Sequence, residues 1–519
     1  MIQSGDGQMR YLFTNLFTRM LPIVVACPLL AQSVTAQPVR DWRMANEQAI
    51  LTTYFELLSI PNISRDNGDT SANVPVLRRL LSEQGFTVST SADRYPEDAN
   101  APVVFARYQA ENPRGTLLLY IHYDGQPVNR DLWVHCAPFQ PCLVDGDRVV
   151  DIDSTTVFDP EWRIYARSAS DDKAPIMSLV QAMAALRATG QAPTWNLIVI
   201  LDGQEESGAG NFRRYVQAHP EEFQADLAIT LDGPRHPSTL PTMYYGVRGG
   251  ASLLVKVHTA AQDLHSGNYG NWAPDASVRL GRLLTSMKAE DGTVTIDGFY
   301  DQVTPLTETE RAAVAAIPDI EDELADTFGI AAPEQANQRL EAKLNLPTLN
   351  ILAMDSGGGL SAPSRTAIPA FAQARIAMRL VNGIDPQRQQ RVVIDHVRDQ
   401  GYQVIENREP TLEELQRYPL LASVHYGGGR AATRVSMEEP LGNSVARALT
   451  LDGVQPVRLP TLGGSLPYGD FSEGLGIPTF GVALVNHDNN QHGPNENLKL
   501  TNLWQGIEIV SRLVTMPAP

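Results

Sequence analysis

A three-layer α/β fold carrying an inserted, smaller α+β domain is what this sequence predicts, on three observations. Apolar runs of strand length alternate with helical patterns through the first half of the chain, the signature of a sheet covered by helices. Several of those runs end on acidic or histidine side chains beside a turn glycine. From about Tyr244 the strands become half-exposed, and after Glu439 the first pattern returns.

Residues 41–58, first in chain order, have a helical pattern, and 75–84 read as a second helix, with Pro75 in a first turn that tolerates its missing N–H and Gly85 as the stop. Strands are expected at 103–108 and 115–122, then a helix at 175–189, and strand, helix and strand again as far as Asp232. In the insertion, 251–257 and 370–380 read as half-exposed strands and 276–288 as an amphipathic helix. An acidic helical stretch at 317–342 reads as a solvated face. A helix at 441–449, a strand at 477–485 and a helix at 501–514 close the chain. The runs Gly357-Gly358-Gly359 and Gly427-Gly428-Gly429 read as loops, and no phosphate-binding Gly-Lys-Ser loop occurs.

A chain of 519 residues is too long for one ordinary core. The expected division is a leader at 1–36, a catalytic domain in two parts at 37–242 and 437–519, and the inserted domain at 243–436. With 41 basic against 59 acidic residues the net charge is -18, which argues against nucleic acid or an anionic membrane as partner.

Arg10 and Arg19 precede the apolar run 20–26, and Ser33-Val34-Thr35-Ala36 offers small residues for cleavage, so a signal peptide is expected. The run is too short for a stable membrane span. Cleavage would deliver a periplasmic or secreted protein. Lipid attachment at Cys27 is the lesser alternative, since Pro28 comes directly after it. The mature chain then keeps Cys136 and Cys142, which an oxidising compartment would join as a disulfide. A structural zinc site there lacks histidine partners at finger spacing.

Ligands of α/β sheets bind at the carboxyl ends of the strands, where residues distant in sequence converge. The run 117–121 ends in His122-Tyr123-Asp124-Gly125, the run 197–201 in Asp202-Gly203-Gln204-Glu205-Glu206, and the run 228–231 in Asp232-Gly233. Each alone is an ordinary turn. Together with Asp171 and a late His492-Gly493-Pro494-Asn495-Glu496 they point to a dinuclear metal site.

These pieces, with Ser170-Asp171-Asp172-Lys173, Asp263-Leu264-His265-Ser266-Gly267 and Gly463-Gly464-Ser465-Leu466-Pro467, resemble the carnosinase-type dinuclear zinc metallopeptidases. That family also includes aminoacylases, succinyl-diaminopimelate desuccinylase and glutamate carboxypeptidase. The resemblance covers most of the mature chain and is strongest to the dipeptidase branch, where Asp stands at the position of Asp232.

The resemblance implies two zinc ions per subunit, with manganese or cobalt as possible substitutes. His122, Asp171 and Asp232 would hold one, and Asp171, Glu206 and His492 the other, with Asp171 bridging and joined to Asp172 by a cis peptide. Asp124, two residues after His122 at a strand end, points to the same side and would accept a hydrogen bond from the imidazole. Glu205 and Glu206 point oppositely in extended backbone, leaving Glu205 as general base. The resemblance also implies that His265 stabilises the oxyanion in a partner subunit's site, so that the inserted domain serves as lid and dimerisation domain. Arg379 matches the arginine that binds the substrate carboxylate, and Gly464 with Ser465 the substrate loop.

Tyr165-Ala166-Arg167-Ser168-Ala169 replaces the usual Gly-Arg-Gly before the bridging aspartate, and the stretch 140–166 is longer than usual. Asn382-Gly383 after Arg379 replaces a commoner proline. The expected activity is cleavage of dipeptides or short peptides by metal-activated water in a homodimer. The alternative is removal of an acyl group from an amino acid with the same residues. A non-catalytic binding protein is disfavoured by the complete ligand set with Glu205.

Overall fold

The computed structural model describes residues 36–65, 68–357 and 366–518. The expected leader, with Cys27, lies outside them apart from Ala36, which opens the helix Ala36–Leu58. Gly358 and Gly359 also lie outside the described residues.

The fold is mixed α/β. Four neighbouring parallel strands, Asn196–Asp202, Thr116–His122, Leu227–Thr230 and Thr479–Ala483, form the middle of an eight-stranded sheet. Residues Leu117, Leu118, Leu119, Tyr120 and Ile121 are all buried, the pattern of a parallel strand covered on both faces. The helices Ala36–Leu58, Lys173–Ala188 and Leu500–Thr515 pack together over one face through Tyr54, Leu179 and Ile507. Lys173–Ala188 is apolar nearly all round because it lies between the sheet and the two other helices. Gly210–Ala218 covers the opposite face with Phe212 and Tyr215, where Phe471 joins it.

A second sheet has the order Thr348–Ser356, Phe371–Leu380, Gly249–His258, Leu421–Arg430 and Gln403–Glu406. Gly249–His258 alternates buried and half-buried residues, so one face is free to pack the helices Ala276–Thr285 and Pro386–Asp399 around Leu253, Leu280 and Val393. Asp275 and Asp385 cap those helices, accepting hydrogen bonds from the N–H of Val278 at 3.1 Å and of Arg388 at 2.6 Å.

Two expectations need correction. Gly427, Gly428 and Gly429 are strand, not loop, lying in Leu421–Arg430. A side chain at Gly427 would meet the Ser252 hydroxyl at 2.0 Å, so glycine serves here for close strand approach. The acidic stretch is also more than a solvated face. It forms Glu321–Phe328, ended by Gly329 at φ +65°, and the short Leu340–Lys343. Ile317 is buried against Val457 and Leu459, and Glu341 Oε1 lies 3.2 Å from His236 Nε2, docking the segment onto the edge of the first sheet.

The long stretch 140–166 supplies Cys142–Asp145, Arg148–Val150 and Arg163–Tyr165 to a four-stranded sheet completed by Asn497–Lys499. Cys136 and Cys142 lie at disulfide distance, their Cα atoms 6.3 Å apart. No helix among the described residues is long and apolar enough to cross a membrane.

Candidate metal centre

The carboxyl ends of the parallel strands, with two further loops, bring the predicted ligands to one place. His122 Nε2 lies 2.9 Å from Asp171 Oδ1 and 3.7 Å from Asp232 Oδ2. His492 Nε2 lies 3.1 Å from Asp171 Oδ2 and 3.6 Å from Glu206 Oε2. Asp171 therefore faces one histidine with each oxygen. The peptide bond between Asp171 and Asp172 is cis.

Two groups of ligand atoms lie within 4.8 Å of one another: His122, Asp172 and Asp232, and Asp171, Glu206 and His492. Asp172 was missed in the sequence as a possible ligand. Its signal was adjacency to Asp171 in the sequence. A third group, His219, Glu221 and Glu222, is partly exposed and has the makings of an ordinary polar surface.

Asp124 is buried behind His122, on the side of the imidazole nitrogen that faces away from Asp171 and Asp232. Nδ1 lies 3.1 Å from the Asp124 main-chain oxygen and 3.4 Å from its Oδ1. The carboxylate also accepts the N–H groups of Glu205 and Glu206, both at 3.0 Å, and the Ser64 hydroxyl at 2.6 Å. Those two N–H bonds shape a turn: Glu205–Ser207 is a 3-10 turn rather than extended backbone. Glu206 is still the buried member and Glu205 the half-buried one.

Glu496, at the end of the His492 motif, ties the loops together. Its Oε1 accepts from the Ser170 N–H at 3.0 Å and the Asp171 N–H at 2.9 Å, and its Oε2 pairs with Arg167 Nη1 at 2.7 Å. Arg167 also donates to the Gly493 carbonyl at 2.9 Å, and its own N–H to Pro138 within the cysteine loop at 2.8 Å.

Burial dominates the electrostatics. It pushes the Glu205 carboxyl well above the ordinary range, where Asp232, Asp124 and Glu206 add repulsion against the opposing pull of His122. Burial raises Glu206 to about 7 and Asp232 to about 6, with Asp171 adding to both. Asp171 goes the other way: burial opposes ionisation, yet hydrogen bonds from His122 and His492 hold it below the usual carboxylate range. This crowd of buried carboxylates with only two imidazoles is what divalent cations would satisfy, and His with Asp and Glu is a zinc-type donor set.

A cavity of about 830 Å³ opens onto the cluster, lined among others by Glu205, Glu206, His492, Gln126, Arg430 and Ser465. Gln126 donates to Glu206 Oε2 at 2.6 Å. Ser64, Gln126 and Arg430 carried no sequence signal, being isolated polar residues. Arg379 is exposed and donates to Ser465 Oγ at 3.0 Å, while Gly464 accepts from the Arg248 N–H at 2.9 Å. His265 is exposed, does not line this cavity, and accepts from the Gly267 N–H at 3.0 Å.

Residues 118–516 match the sequence pattern of peptidase family M20/M25/M40. The chain belongs to this family. It is therefore a metal-dependent hydrolase of peptide bonds. Among curated M20-type relatives, the Cys-Gly metallodipeptidase of Schizosaccharomyces pombe is 25% identical over 420 residues, covering 79% of this chain and 81% of that protein. Human beta-Ala-His dipeptidase is 28% identical over 307 residues, 57% of this chain and 56% of that protein. An M20 family metallo-carboxypeptidase from Sulfolobus solfataricus has a solved structure that superposes with a TM-score of 0.70 at 26% identity, over 90% of this chain and 98% of that one.

Proposed function

We propose that this M20 peptidase is a dipeptidase that uses two zinc ions, with Glu205 as general base. The observation that carries the reading is Asp171: its two oxygens face His122 and His492, so one carboxylate is shared between the two ligand groups. His122, Asp171 and Asp232 would hold one ion and Asp171, Glu206 and His492 the other, with Asp172 poised beside the first. Bound there, the ions would polarise the scissile carbonyl and lower the pKa of water.

The chain's own residues supply the rest. Asp124 fixes the Glu205 N–H, which sets the carboxyl at the cavity wall. Glu205 Oε takes a proton from the attacking water and passes it to the leaving amine nitrogen. Burial raises that carboxyl above the ordinary range and so favours the protonated form it passes through between the two transfers. Arg379, which donates to Ser465 of the cavity wall, would bind the substrate carboxylate.

We further propose export and dimerisation. The cysteine pair at bonding distance supports an oxidising compartment, with residues 1–36 as its leader. The edge strand Thr348–Ser356 exposes Ile351, Leu352 and Met354, with Leu352 at 62%, and such an edge is covered when two copies meet. His265, exposed and outside its own cavity, would then donate to the oxyanion in the neighbouring subunit.

A hydrolysis screen of dipeptides and N-acyl amino acids, with and without chelator, tests the reading. Chelator-sensitive cleavage of dipeptides in preference to N-acyl amino acids is expected. Preference for N-acyl substrates would replace the dipeptidase reading with the deacylase one.

A further inference from the structure

A second cavity, of about 250 Å³, lies at the start of the closing helix Leu500–Thr515, and none of its walls belongs to the metal cluster. Arg235 lines it. This side chain is 3% exposed, and no carboxylate pairs with it among the described residues. Only Nη1 has a partner, Gln505 Oε1. Nε and Nη2 are buried without any hydrogen bond, and among the described residues Arg235 is the one side chain with two such orphaned atoms.

A guanidinium buried without a counter-charge is strongly unfavourable, and an acidic chain has carboxylates in plenty to offer it. The two orphaned nitrogens form one edge of the guanidinium, the edge that binds two oxygens of a carboxylate or phosphate in parallel. Thr501 and Asn502, in the first turn of a 16-residue helix, line the cavity; the N–H groups of Lys499, Leu500 and Thr501 are taken by Asn486 Oδ1 and the Trp162 and Pro160 carbonyls, so the helix adds only its dipole. The two acidic residues at the walls are already engaged, Glu161 by Lys499 at 3.1 Å and Asp488 by Arg163, which leaves Arg235 as the wall cation without a counter-charge among the described residues.

We infer that this cavity is a binding site for a small oxyanion, phosphate or a low-molecular-weight carboxylate, held bidentately by Arg235 at the N-terminus of the Leu500–Thr515 helix. Arg235 stands three residues after Asp232, and its N–H donates to the Val485 carbonyl at 2.9 Å, so the anion would brace the two strand ends next to the metal centre from behind.

Calorimetric titration of the metal-loaded protein with inorganic phosphate, sulfate and acetate at constant ionic strength tests this, alongside the thermal midpoint. Saturable binding and a rising midpoint are expected for at least one of the three. Phosphate or sulfate alone would identify a tetrahedral guest, acetate alone a carboxylate. Arg235→Met should weaken that binding by about tenfold or more, the loss expected for a charge-assisted pair. Lys499→Gln, a change at a partly exposed site, should weaken it several-fold while leaving a folded protein, should Arg235→Met fail to fold. No saturable binding of any of the three, or binding unchanged in the variants and therefore located elsewhere, would overturn the inference.

Discussion

Glu496 and Asp171 are separated by 325 residues in sequence, yet Glu496 Oε1 accepts the Asp171 main-chain N–H at 2.9 Å. The same buried carboxylate pairs with Arg167, which in turn holds the Gly493 carbonyl beside His492. The loops bearing Asp171 and His492 are thus set against each other by one buried ion pair.

Removing one partner of such a pair leaves an uncompensated buried charge, at about 3 to 5 kcal/mol. Glu496→Ala should therefore lower the denaturation midpoint by a corresponding amount and weaken metal retention, both measured on one preparation. A variant with full stability and full metal content would remove Glu496 from its positioning role.

The strand-end residues were legible in the sequence because a run such as Leu117 to Ile121 can only be a covered strand, and the residues immediately after such a strand must lie on the rim of the sheet. The motif order then supplied Asp171 and His492. The contacts that stayed hidden depend on neighbours brought by folding: Ser64 and Gln126 meet the site from loops without pattern, Arg430 from the end of the strand Leu421–Arg430, and the carboxylate of Asp124 holds the Glu205 turn. The Gly427 run looked like a loop because its need for glycine lies on a different strand, at Ser252.

His258 is buried, with Nε2 2.8 Å from Ser423 Oγ, and burial lowers its pKa from 6.5 to about 4. The folded state thus prefers the neutral ring. Its contribution is fully present above about pH 6.5 and is lost as pH falls from there towards 4. Denaturant midpoints at pH 7 and pH 4.5 should fall further apart in the wild type than in His258→Gln. Equal acid losses would contradict this.

The cysteine pair closes a short loop, so its bond should contribute only about 2 kcal/mol. Mass spectrometry of protein recovered from its native compartment should find Cys136 and Cys142 joined. Two free thiols would count against both the bond and export.

If His265 acts in a partner's site, mixing inactive His265→Ala with inactive Glu205→Gln subunits should restore activity. One site of each mixed dimer then carries both defects and the other neither. Failure to recover activity after verified subunit exchange would refute the trans arrangement.

The most direct measurement is metal content and dipeptide turnover of Glu205→Gln beside the wild type. Glu205 is placed as a base and lies outside both ligand groups. The variant should keep up to two zinc ions per chain while turnover drops by about 100 to 10,000-fold, the range of a lost general base. Near-normal turnover with metal bound would contradict the assignment of Glu205 and, with it, the proposed chemistry of the site.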